Sequence, residues 1–393
     1  MIIKPSHRIG QVQTYYFATK NAQIAAMKSM GKDVINLGIG SPDLHPPQEI
    51  IDTLQEASKG VLANKYQGYK GISELRDAFA EWYDRWFSVA LDPNKNVLPL
   101  IGSKEGIMHI SMAFLNEGDE VLVPNPGYPA YRMASKLAGA TVRNFSLRAD
   151  HQWKPDLDAL RQQDLSKVKI MWINYPNMPT GQKADLQFFE EIIAFAREKE
   201  ILICHDNPYG FILNDEPISI MQVKDASDVA IELNSLSKCF NMAGWRVGVM
   251  VGKSEYINAV MTFKSNMDSG MYQPIQLAAV KALSLDQAWF DELNEIYKKR
   301  REIVWQIMDL LACEYEKDSA GLFVWGLVPE SVFNVEAWIE EILQKALVFI
   351  TPGFIFGDNG DRYIRISLCS NIENLNRSVE RITALLEKQK VVI

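Results

Sequence analysis

Four polar side chains follow two apolar stretches that have the character of buried β-strands. Lys238 lies in SLSK, directly after the apolar run 230–234, and Arg246 follows it in GWRVG. Asp206 and Tyr209 lie in HDNPYG, after the apolar run ILIC. Because parallel sheets bind ligands at the carboxyl ends of their strands, we expect these groups to lie close together. An amine, a carboxylate and a phenol are what a pyridine aldehyde cofactor needs, for a Schiff base, for the ring nitrogen and for the ring oxygen.

Nine short motifs extend this pattern along nearly the whole chain. In order they are NLGIGSPD (36–43), YQGYKG (66–71), GSKEG (102–106), PGYPAY (126–131), PNMPTG (176–181), DNPY (206–209), SLSK (235–238), GWRVG (244–248) and YIRIS (363–367). In these motifs the chain resembles the class I/II pyridoxal-phosphate-dependent aminotransferases, which have the aspartate aminotransferase fold. The residues of these motifs are most similar to those of the LL-diaminopimelate and alanine-type aminotransferases. One motif alone would be weak, but nine in the family order are specific.

The resemblance implies roles for the three groups at the strand ends. Lys238 forms the aldimine with pyridoxal 5'-phosphate and, once an amino acid displaces it, acts as the base at the substrate Cα. Asp206 holds the pyridine nitrogen protonated, which makes the ring a better electron sink. Tyr209 donates a hydrogen bond to the phenolic oxygen of the cofactor.

The resemblance also implies a cradle for the rest of the cofactor. The phosphate is a dianion, and a helix N-terminus offers it free backbone N–H groups. The residues implied for the phosphate are Gly102, Ser103 and Lys104 at the start of a helix, together with Ser235 and Arg246. Tyr128 matches the aromatic residue that stacks on the pyridine ring. Tyr66 matches the tyrosine that reaches the phosphate of the neighbouring subunit, which implies a homodimer with shared active sites.

Substrate contacts follow from the same resemblance. Gly40, through its backbone, and Arg365, through a bidentate pair, match the groups that hold the substrate α-carboxylate. In the N-terminal QTYYF, Tyr15 or Tyr16 matches an aromatic residue that reaches the substrate from the partner subunit. An anchoring role for these tyrosines on the partner is an equal alternative.

One position departs from the family pattern. The family has an asparagine immediately before Pro-Thr-Gly, where its amide donates to the cofactor ring oxygen, and this chain has Met178, which cannot donate that bond. Either Asn177 or Asn174 takes the role, or Tyr209 acts alone. The residues do not distinguish these three possibilities.

The elements that must position these residues alternate between strand and helix patterns. Short apolar runs predict strands at 120–124, 141–147, 170–174, 201–206, 230–234 and 246–251. Helical periodicity predicts helices at 47–59, 71–87 and 185–199, the last with Asp185 as its N-cap. The alternation indicates an α/β fold in which helices flank a mostly parallel sheet. It agrees with the fold type I architecture that the resemblance implies.

The pattern changes at a long charged helix, predicted at 288–312. Shorter strands at 323–327, 348–350 and 363–368 and a closing helix at 373–388 follow it. We therefore expect a large cofactor-binding domain at 45–287 and a small α+β domain at 288–393. Residues 1–44 would form an N-terminal arm and part of the small domain. No Pro/Gly/Ser-rich linker separates these regions, so we expect them to pack closely.

Composition excludes several classes of protein. The 393 residues include 41 Lys and Arg against 49 Asp and Glu, so the net charge of −8 has the wrong sign for a nucleic-acid binder. No apolar run reaches the ~18–20 residues of a membrane span. The 4 cysteines form no C-x-x-C pair and the 5 histidines have no metal-ligand spacing, so we expect no metal. We expect a cytoplasmic enzyme.

Transamination is the activity that these observations favour. We expect transfer of an amino group from an L-amino acid to a 2-keto acid, either 2-oxoglutarate or pyruvate. One alternative is a lyase on the same fold, which would need no keto-acid co-substrate, and another is a non-catalytic cofactor-binding protein. A nicotinamide-dependent dehydrogenase fits poorly, because LGIGSPD lacks the third glycine of the dinucleotide fingerprint.

Overall fold

Helices and strands alternate along most of the chain. The computed structural model describes residues 3–10 and 16–391, and within them it contains thirteen β-strands and fourteen α-helices. The strands are β1 (Ile35–Asn36), β2 (Val97–Leu100), β3 (Glu120–Asn125), β4 (Thr141–Ser146), β5 (Val168–Asn174), β6 (Leu202–Asp206), β7 (Ala230–Ser235), β8 (Gly248–Gly252), β9 (Glu314–Tyr315), β10 (Phe323–Leu327), β11 (Val348–Phe349), β12 (Thr351–Pro352) and β13 (Tyr363–Ser367). The helices are α1 (His7–Gly10), α2 (Tyr16–Ser29), α3 (Gln48–Ala57), α4 (Ser73–Phe87), α5 (Ser103–Phe114), α6 (Pro129–Leu137), α7 (Leu157–Arg161), α8 (Leu186–Lys199), α9 (Leu236–Cys239), α10 (Ser254–Lys264), α11 (Gln273–Leu283), α12 (Gln287–Leu310), α13 (Val335–Ala346) and α14 (Ile372–Val391).

A seven-stranded sheet forms the centre of the molecule, in the order β2-β8-β7-β6-β5-β3-β4. Strand β8 runs antiparallel to both of its neighbours, and the other strands are parallel to one another. β5 and β6 have almost entirely buried residues, as expected for strands covered by helices on both faces. Asn174 pairs with Asp206 and Asp206 with Leu233, so the carboxyl ends of β5, β6 and β7 share one edge.

Most predicted elements of this sheet are present within one or two residues. The prediction that Asp185 caps a helix is confirmed, because its carboxylate accepts the Phe188 backbone N–H of α8 at 2.7 Å. Two differences concern β8 and β2. β8 begins at Gly248 rather than at 246, because Arg246 has a left-handed backbone with φ 59° that interrupts an extended strand. The sequence patterns do not predict β2.

A smaller sheet lies next to the large one. Strands β12, β13, β10 and β9 form an antiparallel sheet, and β1 pairs with β11 in parallel. The Arg300 guanidinium on α12 contacts both oxygens of Asp43, at 2.6 and 3.0 Å, and so holds the NLGIGSPD loop against the long helix. Residues near the N-terminus therefore pack with the C-terminal elements. The predicted boundaries at 44/45 and 287/288 stay predictions.

The hydrophobic core continues from the large sheet into the smaller one. Leu37, Phe240, Phe290, Val324 and Ile366 belong to the same cluster of buried side chains. None of the helices in the described part of the chain has the length and apolar character needed to cross a bilayer.

Candidate active site

A cavity of about 560 Å³ lies at the shared carboxyl edge of β5, β6 and β7 and extends toward the smaller sheet. Most of the residues singled out in the sequence line it. These are Gly40, Ser103, Lys104, Tyr128, Asn174, Asp206, Tyr209, Ser235, Lys238, Arg246 and Arg365. They come from seven separate stretches of the chain, which the sheet and the NLGIGSPD loop bring to one place.

The amine of Lys238 projects into this cavity. Ser235 caps the short helix α9 by accepting the Ser237 backbone N–H, and this cap sets the turn that carries Lys238. Lys238 Nζ donates a 2.6 Å hydrogen bond to the Gly40 carbonyl oxygen. Burial lowers the pKa of Lys238, which increases the fraction of the nucleophilic neutral amine.

Only one of the two oxygens of the Asp206 carboxylate has a hydrogen-bond partner among the described residues. Its Oδ2 accepts a 2.8 Å hydrogen bond from the Tyr131 hydroxyl, and the Tyr131 ring stacks on Trp172. Its buried Oδ1 has no hydrogen-bond partner among the residues that the structure describes. Burial raises the pKa of Asp206 to about 6. A buried acceptor that lines a cavity fits a protonated ring nitrogen, which would supply both the hydrogen and the positive charge.

An anion cradle lies at the N-terminus of α5. Gly102 precedes the helix with φ +79°, and a Cβ at this position would lie 2.2 Å from Arg246 Nη2. A Cβ at Gly248 would lie 2.8 Å from the Ser103 backbone nitrogen, so two glycines allow this close packing. Backbone N–H groups of a helix start and a guanidinium are suited to a phosphate dianion.

Arg365 forms the opposite side of the cavity. Its side chain is buried, its Nη2 donates to the Gly38 carbonyl oxygen at 2.8 Å, and its Nη1 lies 3.3 Å from Met178 Sδ. The guanidinium lies over the rings of Phe323 and Phe356, with distances of 3.9 and 4.7 Å to the centroids. A buried cation that lines a cavity fits a carboxylate ligand.

The structure does not bring every predicted residue into this cavity. Asn177 is buried outside the lining, where its amide accepts from Thr180 Oγ1 at 2.8 Å and donates to the Asn174 carbonyl oxygen at 3.2 Å. Of the candidates for the missing ring-oxygen donor, Asn174 and Tyr209 therefore line the cavity and Asn177 does not.

The aromatic residues predicted to act between subunits lie elsewhere. Tyr66 is 91 % exposed and does not line the cavity of its own chain. Tyr15 lies outside the described residues. Tyr16 packs edge-on against Phe354, with 5.5 Å between ring centroids, and is not part of the cavity lining.

Several lining residues were not identified from the sequence. Tyr131 and Ser237 lie within the motifs PGYPAY and SLSK, so the motifs themselves carried the signal. Phe17, Phe323 and Phe356 come from α2, β10 and the 3₁₀ helix Gly353–Phe356, and local periodicity gives no sign that they face a cavity.

The lysine, the buried carboxylate and the helix N-terminus with its guanidinium fit an enzyme that uses a phosphorylated ring cofactor. Residues 32–382 match the family model described as aminotransferase class I and II. The chain is 42 % identical over 382 residues to an LL-diaminopimelate aminotransferase of Dehalococcoides mccartyi, covering 97 % of this chain and 98 % of the relative. It is 39 % identical over 388 residues to the LL-diaminopimelate aminotransferase of Moorella thermoacetica, and the match covers 98 % of this chain and 99 % of that relative.

A solved structure gives the same result. A substrate-bound structure of BacF from Bacillus subtilis has a TM-score of 0.93 and 36 % identity, and covers 98 % of both chains. The chain belongs to the class I and II aminotransferase family. It is a pyridoxal-phosphate-dependent enzyme, and the predicted fold class and cofactor are confirmed.

Proposed function

We propose that this cavity transfers an amino group from an L-amino acid to a 2-keto acid, with Lys238, Asp206 and Tyr209 as the catalytic residues. The observation that carries the proposal is the buried Oδ1 of Asp206, which has no hydrogen-bond partner among the described residues and belongs to a residue that lines the same cavity as Lys238 and Arg365. Pyridoxal 5'-phosphate supplies an aldehyde that condenses with amines and a ring that withdraws electrons from the substrate Cα.

Each group of residues has a separate task. Lys238 Nζ, with its lowered pKa, would hold the cofactor through its aldehyde carbon, and the freed amine would then move the proton from the substrate Cα to that aldehyde carbon. The Asp206 carboxylate would hold a proton on the ring nitrogen, and the Tyr209 hydroxyl would donate to the ring oxygen. Arg365 and the backbone at Gly40 hold the substrate carboxylate, which orients the Cα–H bond.

The remaining cofactor contacts form the cradle. Ser103, Lys104 and Ser235 would hold the phosphate with Arg246, while Gly102 leaves room for that guanidinium. Tyr128 would stack on the ring. At the position of Met178, Tyr209 would serve the ring oxygen without Asn177, whose amide is used inside its own turn.

For substrates, we propose 2-oxoglutarate as the acceptor, with pyruvate as the alternative. The relatives named LL-diaminopimelate aminotransferase support a donor with a polar distal group. A panel of amino donors, each assayed with both keto acids, would measure kcat/KM ratios and identify the preferred pair. A requirement for a keto acid would also separate transamination from the lyase alternative.

We further propose a cytoplasmic homodimer with shared active sites. Six large apolar side chains are exposed on two segments that contact each other, since a Cβ at Gly270 would lie 2.7 Å from the Gln67 carbonyl oxygen. This apolar patch consists of Val61, Leu62, Tyr66, Tyr69, Met267 and Tyr272. Contiguous exposed apolar residues mark association surfaces. All four cysteines are free and buried, as expected in a reducing compartment.

The variant Lys238→Ala tests the proposed reaction. We expect it to bind pyridoxal 5'-phosphate without a covalent bond and to lose turnover. Borohydride reduction followed by peptide mass spectrometry should attach the cofactor to Lys238 in the wild type and nowhere in the variant. The control Lys264→Arg changes another buried lysine, which lies at the end of α10 and outside the cavity lining. Full transaminase activity in Lys238→Ala would contradict the proposal.

A further inference from the structure

A second polar cluster lies in the core, on the side of the sheet opposite Asp206. His205 and Glu232 pair across β6 and β7, and both side chains have 0 % relative exposure. His205 immediately precedes Asp206 in β6, so the two side chains point to opposite faces of the sheet. Nothing in the proposed reaction uses His205 or Glu232. A buried histidine and glutamate still need a complete set of hydrogen bonds.

Glu232 receives donors at both carboxylate oxygens. Oε1 accepts from the Tyr83 hydroxyl at 2.8 Å and from the Ser219 hydroxyl at 2.9 Å. Oε2 accepts from the Ile220 backbone N–H at 3.1 Å and lies 2.9 Å from His205 Nδ1. Three donors besides the imidazole favour the ionised carboxylate, which has acceptor sites for all of them.

Both ring nitrogens of His205 face acceptors. Nε2 lies 3.0 Å from the Tyr175 carbonyl oxygen, which has no hydrogen to give and must accept. Nδ1 faces the carboxylate oxygen of Glu232. Beside an ionised Glu232, a neutral imidazole with its single N–H would bring two lone pairs together at one of these two contacts. The imidazole also packs edge-on against Phe189, with 4.9 Å between ring centroids.

We propose that His205 is a doubly protonated imidazolium paired with the Glu232 carboxylate, and that it is a positioning residue for Asp206 and for the turn that begins at Tyr175. The imidazolium and the carboxylate neutralise each other, so the pair needs no further counter-charge. The proposed ion pair depends only on hydrogen bonds inside the core. The proposed positioning role rests on the proposed function of Asp206.

His205 also fixes the geometry of the turn that follows β5. Tyr175 is the first residue after β5 and leads into PNMPTG, and His205 holds its carbonyl oxygen. On the cavity side, Asn174 Nδ2 donates to the Asp206 carbonyl oxygen at 2.7 Å, so the start of this turn is held from both faces of the sheet.

The charges that face Asp206 come from several elements. Burial raises the pKa of Asp206, and the Tyr131 hydroxyl, the His205 charge and the Lys238 charge lower it, while Glu232 raises it further. His205 is the nearer member of the core ion pair, since it adjoins Asp206 in the chain. Removing both charges should therefore raise the pKa of Asp206.

Nitrogen NMR of protein labelled at histidine tests the protonation state. The holoenzyme contains 5 histidines, and the spectrum of His205→Gln identifies the signal of His205. We expect both nitrogens of that ring to carry a proton in the holoenzyme under the conditions of its activity assay, because both face acceptors. A singly protonated ring under those conditions would overturn the proposed ion pair. This measurement needs no turnover, so its failure is distinguishable from failure of the proposed function.

The pH profile of the double variant His205→Gln/Glu232→Gln tests the positioning role. We expect the pH at which kcat/KM falls to half on the acid side to rise by about half a unit or more, because Asp206 becomes protonated more easily. The matched control is Tyr83→Phe, which removes one hydrogen bond to Glu232 and keeps both charges. The control should unfold at a lower temperature with the wild-type pH profile. Identical profiles for the double variant and the wild type would overturn the role of His205.

Discussion

In the proposed reaction Asp206 must stay ionised in a buried position, although burial favours its neutral form. Its pKa is raised to about 6 by burial, and the hydrogen bond from Tyr131 acts against that rise. Below its pKa the carboxyl group would carry its own proton and could no longer hold one on the ring nitrogen. We therefore expect activity to fall as the pH approaches 6 from above.

Substitution of Tyr131 should change the pH below which activity falls. Tyr131→Phe removes the 2.8 Å hydrogen bond that favours the charged form of Asp206. Hydrogen bonds to charged groups contribute roughly 1.5–3 kcal/mol, so the pKa of Asp206 should rise by about 1–2 units. The acid limb of the kcat/KM profile, measured between about pH 5 and 8, should move to higher pH by a similar amount.

Asp206→Asn removes the carboxylate charge at every pH. The amide cannot carry the negative charge that keeps the ring nitrogen protonated, so we expect the fold to persist and kcat to fall by several orders of magnitude. Circular dichroism and kcat measured on the same preparation separate the two effects. A mild loss of activity would mean that Asp206 is structural.

The N-terminus of α5 depends on a backbone that only glycine adopts easily. Gly102 has φ +79°, and its missing side chain leaves the space that the Arg246 guanidinium occupies. A single methyl group at this position would both strain the turn and displace the guanidinium from the cradle. If this helix start and Arg246 hold the cofactor phosphate as proposed, the local conformation of Gly102 controls cofactor binding.

Gly102→Ala should weaken cofactor binding more than it weakens the fold. We expect the dissociation constant for pyridoxal 5'-phosphate to rise about tenfold or more, which is ~1.4 kcal/mol. Gly118→Ala is the matched control, because Gly118 also has a positive φ of +95° and a Cβ there would meet no described heavy atom within 4 Å. The control should lose about 1–2 kcal/mol of stability with unchanged cofactor affinity. Equal affinities in the two variants would contradict a specific role for Gly102.

At the scale of the whole molecule, the position of Tyr66 suggests that one chain does not complete the site. Tyr66 is 91 % exposed and belongs to the apolar patch, yet it matches a tyrosine that contacts the cofactor phosphate. Both properties are explained if Tyr66 enters the cradle of a second copy. The apolar patch would then be buried by dimerisation.

Mixed dimers test this arrangement. A dimer of one Tyr66→Phe chain and one Lys238→Ala chain should contain one intact site and one site with both defects. At a cofactor concentration that leaves the Tyr66→Phe homodimer mostly unloaded, we expect the mixed dimer to show up to half of the wild-type activity. No recovery, despite subunit exchange verified by mass spectrometry, would show that Tyr66 serves its own chain.

The sequence by itself determined the alternation of strands and helices, the family and the groups at the strand ends. Lys238, Asp206 and Tyr209 could be found because each follows an apolar run within about five residues, and the ends of parallel strands meet at one edge. Asp185 could be identified as a cap because capping is a local interaction within one turn. These features depend on residues close together in the chain.

Only the tertiary structure decided which side chains complete the site. Asn174 ends β5 and Asn177 lies three residues later in the following turn, and the fold alone places Asn174 in the cavity lining and the Asn177 amide inside the turn. Phe323 and Phe356 face Arg365 because strand β10 and the 3₁₀ helix Gly353–Phe356 converge on β13. His205 meets Glu232 only through the register of β6 and β7. Contacts between distant residues depend on packing and register, and no local pattern in the sequence specifies them.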